Sequence, residues 1–214
     1  MSERHEELLN VYDDEGRVVA AQQRRAAKAS GRAVGAINVL LVNGRGEVLL
    51  QRRPGDKENG ARWDKSVGGH VGAGEEFDQT ALREASEELF DEPASPAVVL
   101  AASRAELLER AKALDLTRHV IFHSASQQRS LRDVRDAPGG GGVRIVTYHL
   151  AIYLGRTEVP LERFRPQAAE IDALRYASAP EIDALLLAGE LAPNMAFLWL
   201  THAHALLTLV SPAR

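Results

Sequence analysis

Residues 68–91 read GGHVGAGEEFDQTALREASEELFD, a glycine-rich segment followed by a densely acidic one. Four glycines precede seven carboxylate side chains in this stretch. Glycine lets a backbone approach other groups closely, because it has no Cβ and admits backbone angles that other residues avoid. The dense negative charge is explained either by a helix that faces solvent or by a site that binds a cation.

The second half of this stretch is predicted to form a helix over about residues 77–90. Its apolar positions share one face at 100° per residue, namely Leu82, Ala85 and Leu89. Pro93 favours a helix end before it, because proline cannot continue the hydrogen-bonding pattern of a helix. The carboxylates are expected on the opposite face.

Three of these carboxylates have a spacing that suggests chemistry. Glu84, Glu87 and Glu88 follow i, i+3, i+4 spacing, so they project on one side of the helix and repel one another. A hard cation such as Mg²⁺, which prefers oxygen ligands, would offset this repulsion. For the three glutamates alone, a solvated helix face is the favoured interpretation, and the spacing of the whole segment decides further.

Outside this segment, strands and helices alternate. Residues 8–20 predict a hairpin about a turn at 13–16, and residues 36–53 predict a second hairpin with the turn NGRG. Further strands are predicted near 63–71, 97–103, 119–125, 143–154 and 173–178, and helices near 105–116, 180–190 and 193–210. This order predicts an α/β (α+β) fold with a mixed β-sheet, an N-terminal hairpin and C-terminal helices.

The chain length fits one domain over residues 1–214. Within it, residues 1–35 are interpreted as an N-terminal extension. Residues 101–142 are interpreted as an insertion. Residues 130–144, SLRDVRDAPGGGGVR, are interpreted as a flexible loop or, equally, a disordered excursion, because 139–142 are four consecutive glycines.

Composition narrows the functional classes. The formal net charge of −4 gives no reason to expect nucleic-acid binding, and the absence of cysteine excludes disulfides and thiolate chemistry. The charged start MSERHEELLN does not resemble a signal peptide, and no apolar run approaches the roughly 20 residues that span a membrane. We therefore expect a cytoplasmic protein that acts without a membrane. The oligomeric state stays open, a homodimer included.

The spacing of the whole segment resembles the box of the Nudix hydrolase family, G-x5-E-x7-R-E-U-x-E-E-x-G-U, where U is a bulky apolar residue. The matching positions are Gly69, Glu75, Arg83, Glu84, Glu87 and Glu88. Ala85 is small for its position, and Phe90 and Asp91 stand where the box has its last glycine and an apolar residue. This departure concerns the end of the helix.

The resemblance implies an α/β/α sandwich and hydrolysis of a diphosphate joined to another group, usually a nucleoside. It also implies that Glu84, Glu87 and Glu88 are catalytic residues that hold Mg²⁺ or Mn²⁺, with a carbonyl of Gly68 or Gly69 as a further ligand. Metal ions polarise phosphoryl oxygens and activate water.

The resemblance also suggests supporting roles. Glu75 and Arg83 are expected to brace the loop and the helix. The general base is expected to be a glutamate of the box or Glu170, which precedes the last predicted strand; a plain surface glutamate is an equally open interpretation of Glu170.

The segment LLQRRPGDKENGARWDKSVGGHV further resembles a branch near the type I isopentenyl diphosphate isomerases. By this resemblance Arg53 and Lys57 would contact the substrate diphosphate, with exposed cations as the alternative. An isomerase is disfavoured, since Gly68 stands in place of its cysteine and only His70 matches its metal histidines.

The expected function is therefore a divalent-metal-dependent hydrolase of a nucleoside diphosphate or a related diphosphate, a small-molecule substrate. The alternative is a Nudix module that binds diphosphates without cutting them, and an isomerase-like enzyme comes third.

An aromatic residue and a pair of histidines have more than one interpretation. Trp63 can stack on a base or belong to the core. His119 and His123 are expected on one strand, about 13 Å apart, too far to share a metal.

Overall fold

The computed structural model describes residues 7–136, 142–167 and 170–210. Its strands are β1 Leu8–Tyr12, β2 Val18–Gln23, β3 Ala33–Val42, β4 Val48–Arg52, β5 Trp63–Asp64, β6 Val67–His70, β7 Val98–Ala101, β8 Val120–Asp136, β9 Val143–Thr157 and β10 Ala173–Ala177. Its helices are α1 Arg24–Ala29, α2 Phe77–Phe90, α3 Arg104–Ala113, α4 Ala179–Leu187 and α5 Pro193–Leu207. The mixed order predicted from the sequence is confirmed.

The strands form one mixed sheet with the order β10-β4-β3-β9-β8-β7, and β1, β2, β5 and β6 attach beside this path. Strand β3 runs parallel to β9 and β7 runs parallel to β8, whereas the other pairs are antiparallel. Strand β3 is buried along its whole length, as expected for a strand that is covered on both faces.

Helices cover both faces of this sheet. On one face α2 packs through Ala81, Ala85 and Leu89 against side chains such as Phe122. On the other face α3, α4 and α5 pack through residues that include Leu107, Ile182 and Leu198. Successive residues of β3 alternate between the two cores, because side chains of a strand point to opposite faces in turn. The α/β/α layers implied by the resemblance are confirmed.

Helix α2 has the predicted bounds, but its carboxylates lie differently from the expectation. Glu84 and Glu88 are only 4 % and 6 % exposed, so these two carboxylates of the acidic side do not face solvent. Both side chains lie instead toward β6, with which helix α2 is in contact. The solvated-face interpretation of Glu84 and Glu88 is therefore wrong.

The helix ends without the glycine of the family box. Asp91, not residue 90, adopts the left-handed conformation, with φ of 53°. Its backbone N–H donates to the carbonyl of Glu87, and the N–H of Glu92 donates to the carbonyl of Ser86. These bonds satisfy the last carbonyls of the helix as a glycine ending would. Phe90 instead packs its ring 5.8 Å from that of Phe164.

The segment interpreted as an insertion contributes to the sheet. Strand β8 pairs with β9 from Val120 to Asp136, so residues 130–136 belong to a long hairpin and not to a loop. This corrects the expectation of a flexible loop for those residues. Most of the glycine run, 139–141, lies outside the described residues. The interpretation of 101–142 as an insertion, and of 1–35 as an extension, stays a prediction.

Among the described helices, each is too short or too polar to cross a membrane.

Candidate functional site

A polar cleft of about 600 Å³, open to solvent, lies where β3, β6 and α2 meet the end of β8. Its lining includes four carboxylates, Glu58, Glu84, Glu88 and Glu170. It also includes four cations, Arg24, Arg53, Lys65 and Arg135. Gly68 and Gly69 bring backbone to the same surface. The cleft therefore combines oxygen ligands with cations that can receive an anion.

The two glycines allow the close approach that the sequence suggested. A Cβ added at Gly69 would overlap the carboxylate of Glu84. The N–H of Gly68 donates to Oε2 of Glu88 at 3.1 Å. Strand β6 and helix α2 are thus in contact through glycine backbone and glutamate side chains. A side chain at either glycine would displace a charged group, that of Lys65 at Gly68 and that of Glu84 at Gly69.

Arg83 ties the acidic residues together. Its guanidinium donates to both carboxylate oxygens of Glu75, at 2.8 and 3.0 Å. Its Nη1 also donates to Glu84 at 3.0 Å and to Glu87 at 3.1 Å. Burial would lower the pKa of Arg83, but its hydrogen bonds to Glu75 and the charges of Glu84 and Glu87 raise it, so Arg83 stays charged.

Glu75 also holds the glycine-rich loop. Its Oε2 accepts from the N–H of Gly72 at 3.2 Å and from the hydroxyl of Thr80 at 2.8 Å. The hydrogen bonds from Arg83 and Thr80 lower the pKa of Glu75. These contacts are those expected of a residue that braces the loop against the helix.

Glu84, Glu87 and Glu88 are not arranged around a common metal position in the described part of the chain. Within residues 7–136, 142–167 and 170–210, no group of three or more His, Asp or Glu side chains is arranged to hold a metal ion. The physical reason is that Glu84 and Glu87 both accept from Arg83, while Glu88 accepts from Gly68. Their donor chemistry nevertheless fits a hard cation, since all are carboxylate oxygens beside a glycine backbone.

Of the other predicted site residues, Arg53 and Glu170 lie in the cleft and Lys57 lies beside it. Lys57 is not part of the lining, but its Nζ lies 3.4 Å from Oε1 of Glu170. Arg53 donates from Nε to the carbonyl of Glu58 at 2.9 Å and lies 3.5 Å from Asp64. The substrate-contact roles of Arg53 and Lys57 stay predictions.

Lys65 was missed by the sequence interpretation. It is 5 % exposed, and its Nζ donates to Oδ2 of Asp64 at 3.1 Å. Burial lowers the pKa of Lys65, and Asp64 opposes this shift. A Cβ added at Gly68 would overlap Cε of Lys65, so the lysine lies directly over that glycine. A lysine within WDKSVGG, three residues before a glycine pair, was the available signal.

Arg135 was also missed, because it lies far along the chain on β8. It is held by Asp133 at 2.9 Å and by Glu58 at 3.5 Å. Burial would lower the pKa of Arg135, but the nearby Tyr148, Asp133 and Glu58 raise it. Periodicity could place Arg135 on one face of a strand, but only the sheet register places that face at the cleft.

Glu58 links two segments at the edge of the cleft. It accepts from Lys28 of α1 at 3.1 Å and from Arg135 at 3.5 Å. Burial lowers the pKa of Lys28 to about 8, although Glu58 opposes the shift. The loop that carries Glu58 has two left-handed residues, Asn59 with φ of 54° and Ala61 with φ of 61°. Such conformations cost energy for residues other than glycine.

The remaining sequence candidates are accounted for by packing. The guanidinium of Arg175 lies 4.4 Å from the ring centre of Trp63, so that aromatic face is covered. His123 is buried on β8, and its Nδ1 contacts the carbonyl of Ser124. His119 precedes β8 and contacts the carbonyl of Asp115.

Comparison with known proteins agrees with this geometry. Residues 31–196, more than half of the 214-residue chain, match the family described as the NUDIX domain. The chain is 41 % identical over 85 residues to an uncharacterized Nudix hydrolase of Streptomyces coelicolor, covering 39 % of this chain and 47 % of that protein. It is 32 % identical over 84 residues to one of Yersinia pestis, covering 39 % and 46 %. The aligned part thus spans about half the length of these relatives.

Solved structures support the same fold. A Deinococcus radiodurans protein matches with a TM-score of 0.62 at 19 % identity, over 90 % of this chain and 96 % of that one. A Nudix hydrolase from M. smegmatis, RenU, matches with a TM-score of 0.52 at 20 % identity, over 96 % and 98 %. At these identities the likeness concerns the fold alone. Together with the match over residues 31–196, these observations place the chain in the Nudix family.

Proposed function

We propose that the protein is a Nudix pyrophosphohydrolase, which cleaves a nucleoside diphosphate derivative or a related small diphosphate by attack of water on phosphorus. The observation that carries this proposal is the burial of Glu84 and Glu88 in a cleft that four cations also line. Buried carboxylates are costly unless a positive partner or hydrogen bonds compensate them.

Glu84, Glu87 and Glu88 would hold the divalent cation, Mg²⁺ or Mn²⁺, with a carbonyl of Gly68 or Gly69 nearby. When bound, such an ion neutralises charge on the phosphoryl oxygens and lowers the pKa of water. Glu84 and Glu87 now share Nη1 of Arg83. Because Arg83 keeps its two bonds to Glu75, it can release these carboxylates to a cation and stay in place.

For the protein's own proton transfer we propose Glu170 or a box glutamate as the base that takes a proton from water. Glu170 lines the cleft, and Nζ of Lys57 lies 3.4 Å from its Oε1. Arg53 lines the same cleft and would orient the substrate diphosphate, while Lys57 would act through Glu170. We also propose a cytoplasmic location; a chain without cysteine suits a reducing compartment, where disulfides are rare.

The test is product release from a panel of nucleoside di- and triphosphates, nucleotide sugars, dinucleotides and prenyl diphosphates, with and without Mg²⁺. Removal of a group that only orients a metal ligand typically costs about 10- to 100-fold in activity. Glu88→Gln removes a proposed ligand itself, so it should lower the rate by more than that. Glu109→Gln, an exposed change on α3, is the matched control. An unchanged rate in Glu88→Gln would refute the proposal.

The same panel separates the alternatives. Thermal stabilisation by a diphosphate without turnover of any substrate would favour a module that binds and does not cut. Formation of an allylic isomer from isopentenyl diphosphate would favour the isomerase-like hypothesis. Gly68 disfavours that hypothesis because it stands in place of the isomerase cysteine.

A further inference from the structure

His70 has an unusual environment at the cleft. It is the last residue of β6, lines the cleft, and is 8 % exposed. Its Nε2 is buried and has no hydrogen-bond partner among the described residues. The hydroxyl of Tyr148, whose ring lies 5.9 Å from the imidazole, is in the same situation. Buried polar atoms normally have partners, so these two indicate a group that is absent from the protein itself.

The charges near His70 indicate the sign of that group. Arg24, Lys65 and Arg135 line the same cleft as His70. A histidine ring can donate an N–H to an anion. The cations on this side of the cleft favour an anion beside the imidazole.

Within the described part of the chain, Arg135 and Lys65 contact carboxylates through only some of their N–H donors. Asp133 and Glu58 contact Nε and Nη1 of Arg135, whereas a guanidinium has five N–H donors. The ammonium of Lys65 contacts the two oxygens of a single partner, Asp64, and has three donors. The guanidinium of Arg135 also lies 5.0 Å from the ring centre of Tyr148, whose hydroxyl has no hydrogen-bond partner among the described residues.

Lys65 connects this region to the acidic residues. Its stem lies over Gly68, and the N–H of Gly68 donates to Glu88. An anion on Lys65 would therefore lie next to a cation held by Glu88. A diphosphate has two linked anionic groups and suits such a pair of neighbouring sites.

We propose that Lys65, Arg135 and His70 form a phosphate subsite that works without metal and holds the phosphoryl group of the substrate that water does not attack. This inference rests on the proposed diphosphate hydrolysis and deepens it. Arg135 gives the long β8–β9 hairpin a role in substrate binding, since β8 carries that residue to the cleft.

The test is binding of inorganic pyrophosphate to the whole protein in excess EDTA, measured by calorimetry. Two charge-neutral double variants remove the cations together with their partners: Asp64→Asn with Lys65→Met, and Asp133→Asn with Arg135→Gln. Each should weaken binding about tenfold or more, because hydrogen bonds to charged groups are lost. The matched control, Glu109→Gln with Lys112→Met, removes an exposed ion pair on α3 and should bind as the native protein does.

A second measurement needs no variant. Addition of pyrophosphate to the native protein in EDTA should shift the NMR signals of the His70 ring. Unchanged His70 signals, or equal binding by the cleft variants and the control, would overturn the subsite.

The two proposals fail separately. Glu88→Gln should lose metal-dependent turnover and still bind pyrophosphate in EDTA. Metal-dependent turnover in a protein that binds no pyrophosphate without metal would remove the subsite and leave the hydrolase standing.

Discussion

The acidic group of the cleft, Glu84, Glu87 and Glu88, comes from one helix, whereas the basic group comes from four segments. The basic group consists of Arg24 on α1, Arg53 after β4, Lys65 before β6 and Arg135 on β8. The acidic group is held by Arg83 and by glycine backbone, while all four members of the basic group contact carboxylates, namely those of Glu7, Asp64, Asp133 and Glu58. The first group thus depends on local helix geometry and the second on the packing of the whole sheet.

The two glycines of β6 allow the two groups to be disturbed one at a time. Gly69→Ala places a methyl group in the carboxylate of Glu84, and displacement of a catalytic group by about 1 Å can cost on the order of 100-fold in rate. Gly68→Ala meets the flexible end of Lys65 and should cost less. Steady-state kinetics measure both losses.

The matched control is Gly55→Ala, because a Cβ there meets nothing within 4 Å. Full activity in Gly69→Ala would show that the position of Glu84 is not critical.

Arg83 is expected to stabilise the acidic segment through Glu75. Arg83→Met and Glu75→Gln should each lower the free energy of unfolding, and the double variant should lose less than the sum. A coupling of about 0.5–3 kcal/mol is typical of residues in one ion-pair network. Chemical denaturation of the four proteins measures it. Additive losses would contradict the bracing role of Glu75.

The same pair predicts how stability depends on pH. Hydrogen bonds from Arg83 and Thr80 lower the pKa of folded Glu75 below its ordinary value of 4.5. Its contribution to stability is therefore present above pH 4.5 and is lost as the pH falls through the lower folded pKa. The native protein should lose unfolding free energy below pH 4.5 more steeply than Glu75→Gln, as denaturation at several pH values would measure. Parallel curves would contradict this.

The smallest effect concerns the end of the acidic helix. Asp91 is exposed and left-handed, with φ of 53°, so Asp91→Gly should raise the free energy of unfolding by about 0.5 kcal/mol. Asp91→Asn should change it little, since asparagine also tolerates this conformation. Thermal unfolding measures both, and a loss of stability in Asp91→Gly would show that the Asp91 side chain matters.

The acidic group could be predicted from the sequence because its residues and glycines lie within one continuous stretch. Helical spacing gave α2 its bounds, and hairpin turns gave β1 to β4. Burial of Glu84 and Glu88 could not be predicted, since helical periodicity places them away from the apolar face and only the contact with β6 covers them.

The basic group could be predicted only in part. Arg53 was found through a contiguous motif, but Arg135 depends on the pairing of β8 with β9, which brings residues distant in sequence together. In the sequence, Lys65 resembles an ordinary turn residue. The folded structure places its side chain over Gly68. The pairing register of strands that are distant in sequence decides where such residues lie, and local sequence propensity carries no information about that register.

We propose that the acidic group holds a divalent cation. Electron paramagnetic resonance titration of Mn²⁺ should show binding to the native protein and to Glu109→Gln, and clearly weaker binding to Glu84→Gln and Glu88→Gln. Equal Mn²⁺ affinity in all four proteins would contradict the claim.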